Sequence, residues 1–221
     1  MNKELLQYLE SFLTQKRVDL FKQVASQRTN HFTVVNEDVR HLHNTSAVIR
    51  SCDAFGVQNV HVIEEKIGRR IDKEIAMGAQ KWTTVNRYNN VHETIENLKK
   101  DGYRIVATTP HHQAHTLQDF NINTPAALFF GREAEGLSDA VINEADDYIY
   151  IPTSGFTHSL NISVSAAIIL QNLMQRLQNS SVNWQLSPKE QIELRLQWAK
   201  RHMKNYDELV ERFMKVNKLY L

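Results

Sequence analysis

The stretch from 126 to 170, AALFFGREAEGLSDAVINEADDYIYIPTSGFTHSLNISVSAAIIL, constrains the fold more than any other part of the chain. Two apolar runs, Ala126–Phe130 and Tyr148–Ile151, have the length and the bounding Gly and Pro of buried strands. Each opens into a polar, glycine-bearing loop, Gly131-Arg132-Glu133-Ala134-Glu135-Gly136 after the first and Pro152-Thr153-Ser154-Gly155 after the second. Ser159-Leu160-Asn161 then leads into a nearly unbroken apolar helix. Open α/β sheets bind ligands just beyond strand ends, so these loops are a candidate site.

The rest of the chain supplies a sheet for those loops to sit on. Leu5, Leu6, Leu9, Phe12 and Leu13 share one face of a helix over 3–13, and a second short helix is predicted over 18–26. Strands at 32–35, 60–63, 83–85 and 103–108 alternate with helices at 44–55, stopped by Gly56, and 91–100, stopped by Asp101-Gly102. Residues 67–79 read as mixed loop and helix, and a loop over 111–115 returns the chain toward Ala126. This alternation predicts an α/β fold with a mainly parallel sheet and helices on both faces. Polar, turn-like residues at 178–182 mark a boundary. Ser187-Pro188-Lys189-Glu190 then combines a helix cap, a proline at the first helical position and a carboxylate at the third. The expected organisation is an N-terminal helical extension over 1–30, a central domain over 31–178 and a C-terminal helical extension over 179–221.

Composition narrows the functional classes. No apolar stretch reaches membrane-spanning length, and Met1 is followed by an amphipathic segment without a secretory pattern. A lone Cys52 rules out an internal disulfide and cysteine-rich zinc patterns, which fits a reducing cytoplasm. Residues 1–30 carry five Lys/Arg against three Asp/Glu, and 189–221 carry eight against five, while 31–188 hold 13 against 17. Basic ends around an acidic centre suit a polyanionic partner; solvated helix faces account for the same charges equally well.

Familiar catalytic motifs are absent. The spacing from Gly131 to Gly136 is not that of a dinucleotide fingerprint, and no P-loop follows a strand. His111, His112 and His115 lack the carboxylate or cysteine spacing of a metal site and read as a solvent-exposed loop. Ser159 beside His158 lacks a nucleophile elbow. Three segments remain: Asn44 to Arg50, Arg132 to Glu135, and Ser159 with Asn161. Taken singly, Asn44, the loop residues Arg132, Glu133 and Glu135, Ser159 and Asn161 are each better explained by helix capping than by a site. Arg50, after small and apolar residues, is harder to dismiss.

Together these segments resemble a known family. N-x-S-A-x-x-R-x-x-x-x-F-G at 44–56, L-F-F-G-R-E-A-E-G-L-S at 128–138 and I-P-x-x-G-x-x-x-S-L-N-I-S-V-S-A at 151–166 are similar to the three motifs of the SpoU-type RNA ribose 2′-O-methyltransferases of the SPOUT class. The similarity covers about 32–177, and its one departure is Ser165, where the family more often has alanine.

The resemblance implies an α/β domain with a C-terminal deep trefoil knot, a feature that sequence pattern alone does not suggest. It implies S-adenosylmethionine held at Thr108, Thr109, Gly131, Glu133, Gly136, Ile151, Ser159, Leu160 and Asn161. It implies a homodimer through the knot region, to which Ile162, Val164, Ile168, Ile169 and Leu173 are candidate contributors; an ordinary buried helix is the alternative. Arg50 of one subunit then approaches the other's cofactor and assists the ribose hydroxyl, with Asn44, Glu133, Ser159 and Asn161 orienting the reacting groups. No metal is implied.

The two basic helical extensions are similar to those of the branch that methylates the D-loop guanosine at position eighteen of tRNA. Lys16, Arg17, Lys22, Lys200, Arg201, Lys204 and Arg212, together with Arg50, are candidate RNA contacts. Methylation of ribosomal RNA or of a tRNA wobble ribose, or a non-catalytic RNA-binding role, are the alternatives.

Overall fold

Short runs of β-branched, alanine and aromatic residues build a seven-stranded sheet. Its strands are β1 (Phe32–Glu37), β2 (Asn59–Ile63), β3 (Thr84–Tyr88), β4 (Arg104–Thr108), β5 (His115–Thr116), β6 (Ala126–Phe130) and β7 (Asp147–Tyr150). The spatial order is β3-β2-β1-β6-β4-β7-β5, and every pairing is parallel. This structure, a computed structural model, describes residues 1–39, 41–65, 76–109, 114–132, 135–156 and 159–217. They form two compact units, residues 29–184 and residues 1–28 with 185–221.

In the larger unit β6 takes the middle of the sheet, with Ala126 in register with Phe32 of β1 on one side and Arg104 of β4 on the other. A strand flanked and covered on both faces must be apolar throughout, which is why AALFF shows no alternation. Helices α3 (Leu42–Phe55) and α6 (Ile162–Gln178) cover one face, packing Val48, Ile49, Ile169 and Leu173 onto Val34, Val60 and Leu128. Helices α4 (Val91–Lys100) and α5 (Asp139–Glu144) cover the other, setting Ile95, Leu98 and Val141 against Val35, Ile105 and Phe129.

The predicted strands and helices are present, with instructive shifts. α3 begins at Leu42 rather than Asn44 and ends as expected at Gly56, whose φ of 82° suits a residue without a side chain. α4 has the predicted bounds. His115 and Thr116, expected in a loop, form the edge strand β5 along β7. Of the stretch 67–79, only 76–79 lie among the described residues, as a turn running into a 3₁₀ helix at Ala79–Lys81. His111, His112 and His158 also lie outside them.

The smaller unit is helical: α1 (Asn2–Glu10), α2 (Gln15–Ala25), α7 (Pro188–His202) and α8 (Tyr206–Val216). Its centre is Trp198, packed edge-on to Phe21 with ring centroids 5.5 Å apart and under the Arg28 guanidinium at 5.7 Å. Arg195 donates to Glu10 through Nε at 3.0 Å and also through Nη2, tying α7 to α1. The predicted capping box forms, with the Ser187 N–H donating to the Glu190 carboxylate at 2.8 Å and the Glu190 N–H to Ser187 Oγ at 3.3 Å.

One buried histidine makes this fold acid-sensitive. His61 on β2 stacks on Tyr88, with centroids 5.6 Å apart, and burial pushes its pKa down to about 4 against the opposing pull of Asp101. His31 is lowered in the same sense, chiefly by burial. Below the ordinary value of 6.5 the unfolded chain takes up a proton that folded His61 refuses until about pH 4. Stability therefore falls as pH drops through that window, by up to about 1.4 kcal/mol per pH unit for one such group. His61→Phe, which keeps the stack, is expected to flatten the fall in urea-denaturation midpoint between pH 6.5 and 4.5; a slope equal to that of the unmodified protein contradicts this account.

Candidate active site

The carboxyl ends of β4, β6 and β7, three adjacent strands, release the loops that carry the site. With the first turns of α6 they enclose a cleft of about 860 Å³, within the ~300–1,000 Å³ usual for small-molecule sites. Thr108 and Thr109 line it from β4, and Phe130, Gly131, Arg132, Glu135, Gly136 and Leu137 from β6. Tyr150, Ile151, Pro152 and Thr153 follow from β7, then Ser159, Leu160, Ile162, Ser165 and Ile169, with Ile142 and Ile149 completing the wall.

The loop after β6 is closed by its own backbone. Arg132 and Gly136 exchange N–H···O hydrogen bonds of 2.9 Å in both directions. A side chain on Gly131 would bring its Cβ to 2.3 Å from the Gly136 carbonyl carbon and 2.3 Å from the Leu137 nitrogen, inside any van der Waals contact. Gly136 turns back with φ of 72°, a conformation suited to glycine. The next residues are anchored from below: the Ser138 N–H donates at 2.9 Å to the carboxylate of Glu37, itself 3% exposed at the end of β1. Ser138 Oγ in turn caps α5.

The neighbouring loops are tied to the same frame. Thr108 Oγ1 donates to the Phe129 carbonyl at 2.7 Å, and the Thr109 N–H donates to the Ile149 carbonyl at 3.1 Å. The β4 loop is thus fixed to β6 on one side and β7 on the other.

At the start of α6, Asn161 does two jobs. Its Oδ1 accepts from the Ser163 N–H at 2.9 Å, which makes it the helix cap, while its Nδ2 donates at 3.1 Å to Asn44 Oδ1. Asn44 is not the cap of α3, because that helix starts at Leu42. It lies in the first turn, 3% exposed, facing Asn161. Capping and site assembly coexist at Asn161 and are separate at Asn44.

Of the residues expected around the cofactor, Thr108, Thr109, Gly131, Gly136, Ile151, Ser159 and Leu160 line the cleft, and Asn161 stands beside it next to Leu160. Glu133 lies outside the described residues. Arg50 is exposed on α3 and is not part of this chain's cleft wall. In the helical unit Lys16, Lys22, Lys200, Arg201, Lys204 and Arg212 are exposed, and Arg17 is partly covered, its guanidinium 5.8 Å from the Phe21 ring. Phe130, Leu137, Ile142, Tyr150 and Ser165 also line the wall, beyond the residues that the sequence marks as site candidates. Tyr150 directly precedes Ile151 and lies within reach of the strand-end argument that marks the Pro152–Gly155 loop, which contributes Thr153. Ser165, which in sequence stands out only as a serine where the family more often has alanine, lines the cleft.

A parallel sheet with a cleft over the carboxyl ends of its strands defines an α/β ligand-binding domain. Comparison with known proteins makes this specific. The sequence profile of the SpoU rRNA methylase family matches residues 31–171, and the chain belongs to that family. It is 39% identical over 198 residues to the tRNA (guanosine(18)-2'-O)-methyltransferase of Borreliella burgdorferi, covering 90% of this chain and 91% of the relative. The enzyme of the same description from Thermus thermophilus is 34% identical, over 71% of this chain and 81% of its own. Among solved structures, the Aquifex aeolicus TrmH/SpoU tRNA modifying enzyme superposes with a TM-score of 0.76 at 30% identity, covering 86% of this chain and 98% of that one. An AdoMet-bound rRNA methyltransferase from Sinorhizobium meliloti superposes with a TM-score of 0.58 at 25% identity, over 71% of this chain and 60% of the other.

The closed glycine loop gives a direct test. Gly131→Ala must displace backbone, so it is expected to lower unfolding free energy by about 1–3 kcal/mol in urea denaturation. Gly136→Ala meets no atom within 4 Å and bears only the cost of its positive φ, about 1–2 kcal/mol. An unchanged midpoint for Gly131→Ala contradicts the closed loop.

Proposed function

We propose that this protein methylates the ribose 2′-oxygen of a tRNA nucleotide, the D-loop guanosine at position eighteen, with S-adenosylmethionine as methyl donor. The observation that carries the reading is the reach of the similarity. The family profile ends at residue 171, but the match to the Borreliella burgdorferi enzyme spans 198 residues and so extends well into the helical termini. A shared methylase domain alone leaves the RNA open; shared termini favour tRNA.

The cleft fits the cofactor. Phe130, Leu137, Ile151 and Leu160 offer apolar walls for a purine ring. The bare backbone around Gly131 and Gly136 permits close approach to ribose, and the hydroxyls of Ser159 and Ser165 offer polar contacts. When bound, S-adenosylmethionine supplies an electrophilic methyl group on a sulfonium centre. The protein's part is positioning, exclusion of water and management of the hydroxyl proton.

Arg50 is the residue we assign to the 2′-oxygen. A guanidinium, with five N–H donors and no acceptor, is not a general base at neutral pH. It clamps the adjacent phosphate and stabilises negative charge developing on the ribose oxygen, while a phosphate oxygen or water accepts the proton. Because Arg50 is absent from its own chain's cleft wall, the site is completed in a homodimer, where the partner's Arg50 faces this cleft. Val164 and Ile168, four residues apart on α6 and 46% and 37% exposed, supply the apolar face for that contact. Ile162, Ile169 and Leu173 belong instead to the chain's own core. We also infer the family's trefoil knot, a reading supported by the insertion of β6 between β1 and β4 and by the convergence of its loop with that of β7 on one cleft. Asn44 and Asn161 hold α3 against the start of α6, Glu133 and Ser159 orient the reacting groups, and the exposed basic residues of the helical unit engage tRNA phosphates. The setting is cytoplasmic, and no metal takes part.

Labelled methyl from S-adenosylmethionine is expected on the D-loop guanosine ribose of unmodified tRNA transcripts, with or without EDTA. Arg50→Ala and Arg50→Lys are each expected to lower turnover by about 10²–10³, the scale of losing one donor to a developing oxyanion. Near-normal turnover in Arg50→Lys contradicts the bidentate clamp, and label on ribosomal RNA but not tRNA contradicts the substrate.

A further inference from the structure

We propose that Phe156 is a stacking platform for a nucleobase of the RNA substrate, a role that rests on the methyl-transfer reading above. Its ring is 102% exposed, more than any other large hydrophobic side chain among the described residues. Isolated apolar side chains on a surface are ordinary, and exposure alone assigns no role. Position is what distinguishes this one. Thr153 and Ser159, three residues before and three after Phe156, both line the cleft. A chain reaches at most ~3.6 Å per residue, so the Phe156 Cα stands within ~11 Å of the cleft wall on either side.

The surroundings favour RNA over a protein partner. Pro152, Thr153, Ser154 and Gly155, which precede it in the chain, are all exposed, and two of the four carry hydroxyls. That combination matches single-stranded RNA, whose splayed bases stack on aromatic rings while sugar and phosphate take hydrogen bonds. A protein interface is better served by Val164 and Ile168, one turn apart on α6 and each more than half covered by its own chain. The reaction adds a geometric reason. Presenting one ribose to the cleft requires the target nucleotide to leave its stack, and an aromatic platform beside the cleft replaces the stacking it loses.

The test measures affinity of full-length protein for an unmodified tRNA transcript, alongside S-adenosylmethionine affinity and solution mass. Phe156→Ala is expected to weaken tRNA binding about 10-fold, the scale of one base stacked on an aromatic ring. Phe156→Trp is expected to retain binding, and Phe156→Leu, apolar but without a π-face, to behave like the alanine variant. Cofactor affinity and mass are expected to stay unchanged. The proposal is overturned if Phe156→Ala binds tRNA normally, if leucine substitutes for phenylalanine, or if alanine changes the solution mass, which would assign the ring to a protein contact. Methyl transfer by the unmodified protein is read in the same preparation. Transfer without any Phe156 effect on binding removes the stacking role and leaves the reaction; a Phe156 effect without transfer removes the reaction and leaves the stacking.

Discussion

The site depends on a backbone loop folded so tightly after β6 that position 131 has no room for a side chain. Arg132 and Gly136 close the loop with a pair of 2.9 Å hydrogen bonds, and the space where a Cβ would stand is filled by the backbone of Gly136 and Leu137. A wall made of main chain presents fixed dipoles and occupies less room than one made of side chains, so a ligand approaches closely without a side-chain code. The loop holds its shape because it hangs from a strand buried at every position and is pinned at its far end by Glu37 beneath Ser138. Core packing is thereby converted into the position of a few polar groups at the strand ends.

A second restraint acts from the opposite wall. Asn161 must cap α6 and reach Asn44, and both demands are met only if α3 and α6 keep their places on the same face of the sheet. The two helices bury Val48, Ile49, Ile169 and Leu173 against β1, β2 and β6, so the hydrogen bond reports an arrangement that apolar contact maintains. A hydrogen bond between the buried Asn44 and the exposed Asn161 adds direction to that contact more than it adds strength. The cleft therefore lies between a rigid glycine loop and a helix start whose placement is set by the core.

Much of this was legible in the sequence because buried parallel strands and capped helices leave strong signals. AALFF could be little but a central strand, Gly56 a stop, and Ser187-Pro188-Lys189-Glu190 a helix start. The misplacements have physical causes. Asn44 looked like a cap because asparagine is a good one; the helix instead starts at Leu42, and tertiary contact with Asn161 claims the side chain. His115 and Thr116 are too short a run to announce a strand and are one only because β7 is beside them. Cleft-lining by Ser165, one turn into α6, depends on which way the helix faces, which periodicity does not determine. The order β1-β6-β4 is likewise a property of three-dimensional assembly that no local pattern encodes.

Hydrogen exchange with and without S-adenosylmethionine tests most directly the claim that the three strand-end loops form one cofactor site. The account predicts slowed exchange confined to 108–109, 131–132, 135–137, 150–153 and 159–165 on addition of the cofactor. Protection centred on the helical unit of residues 1–28 and 185–221, or none under saturating cofactor, would contradict it.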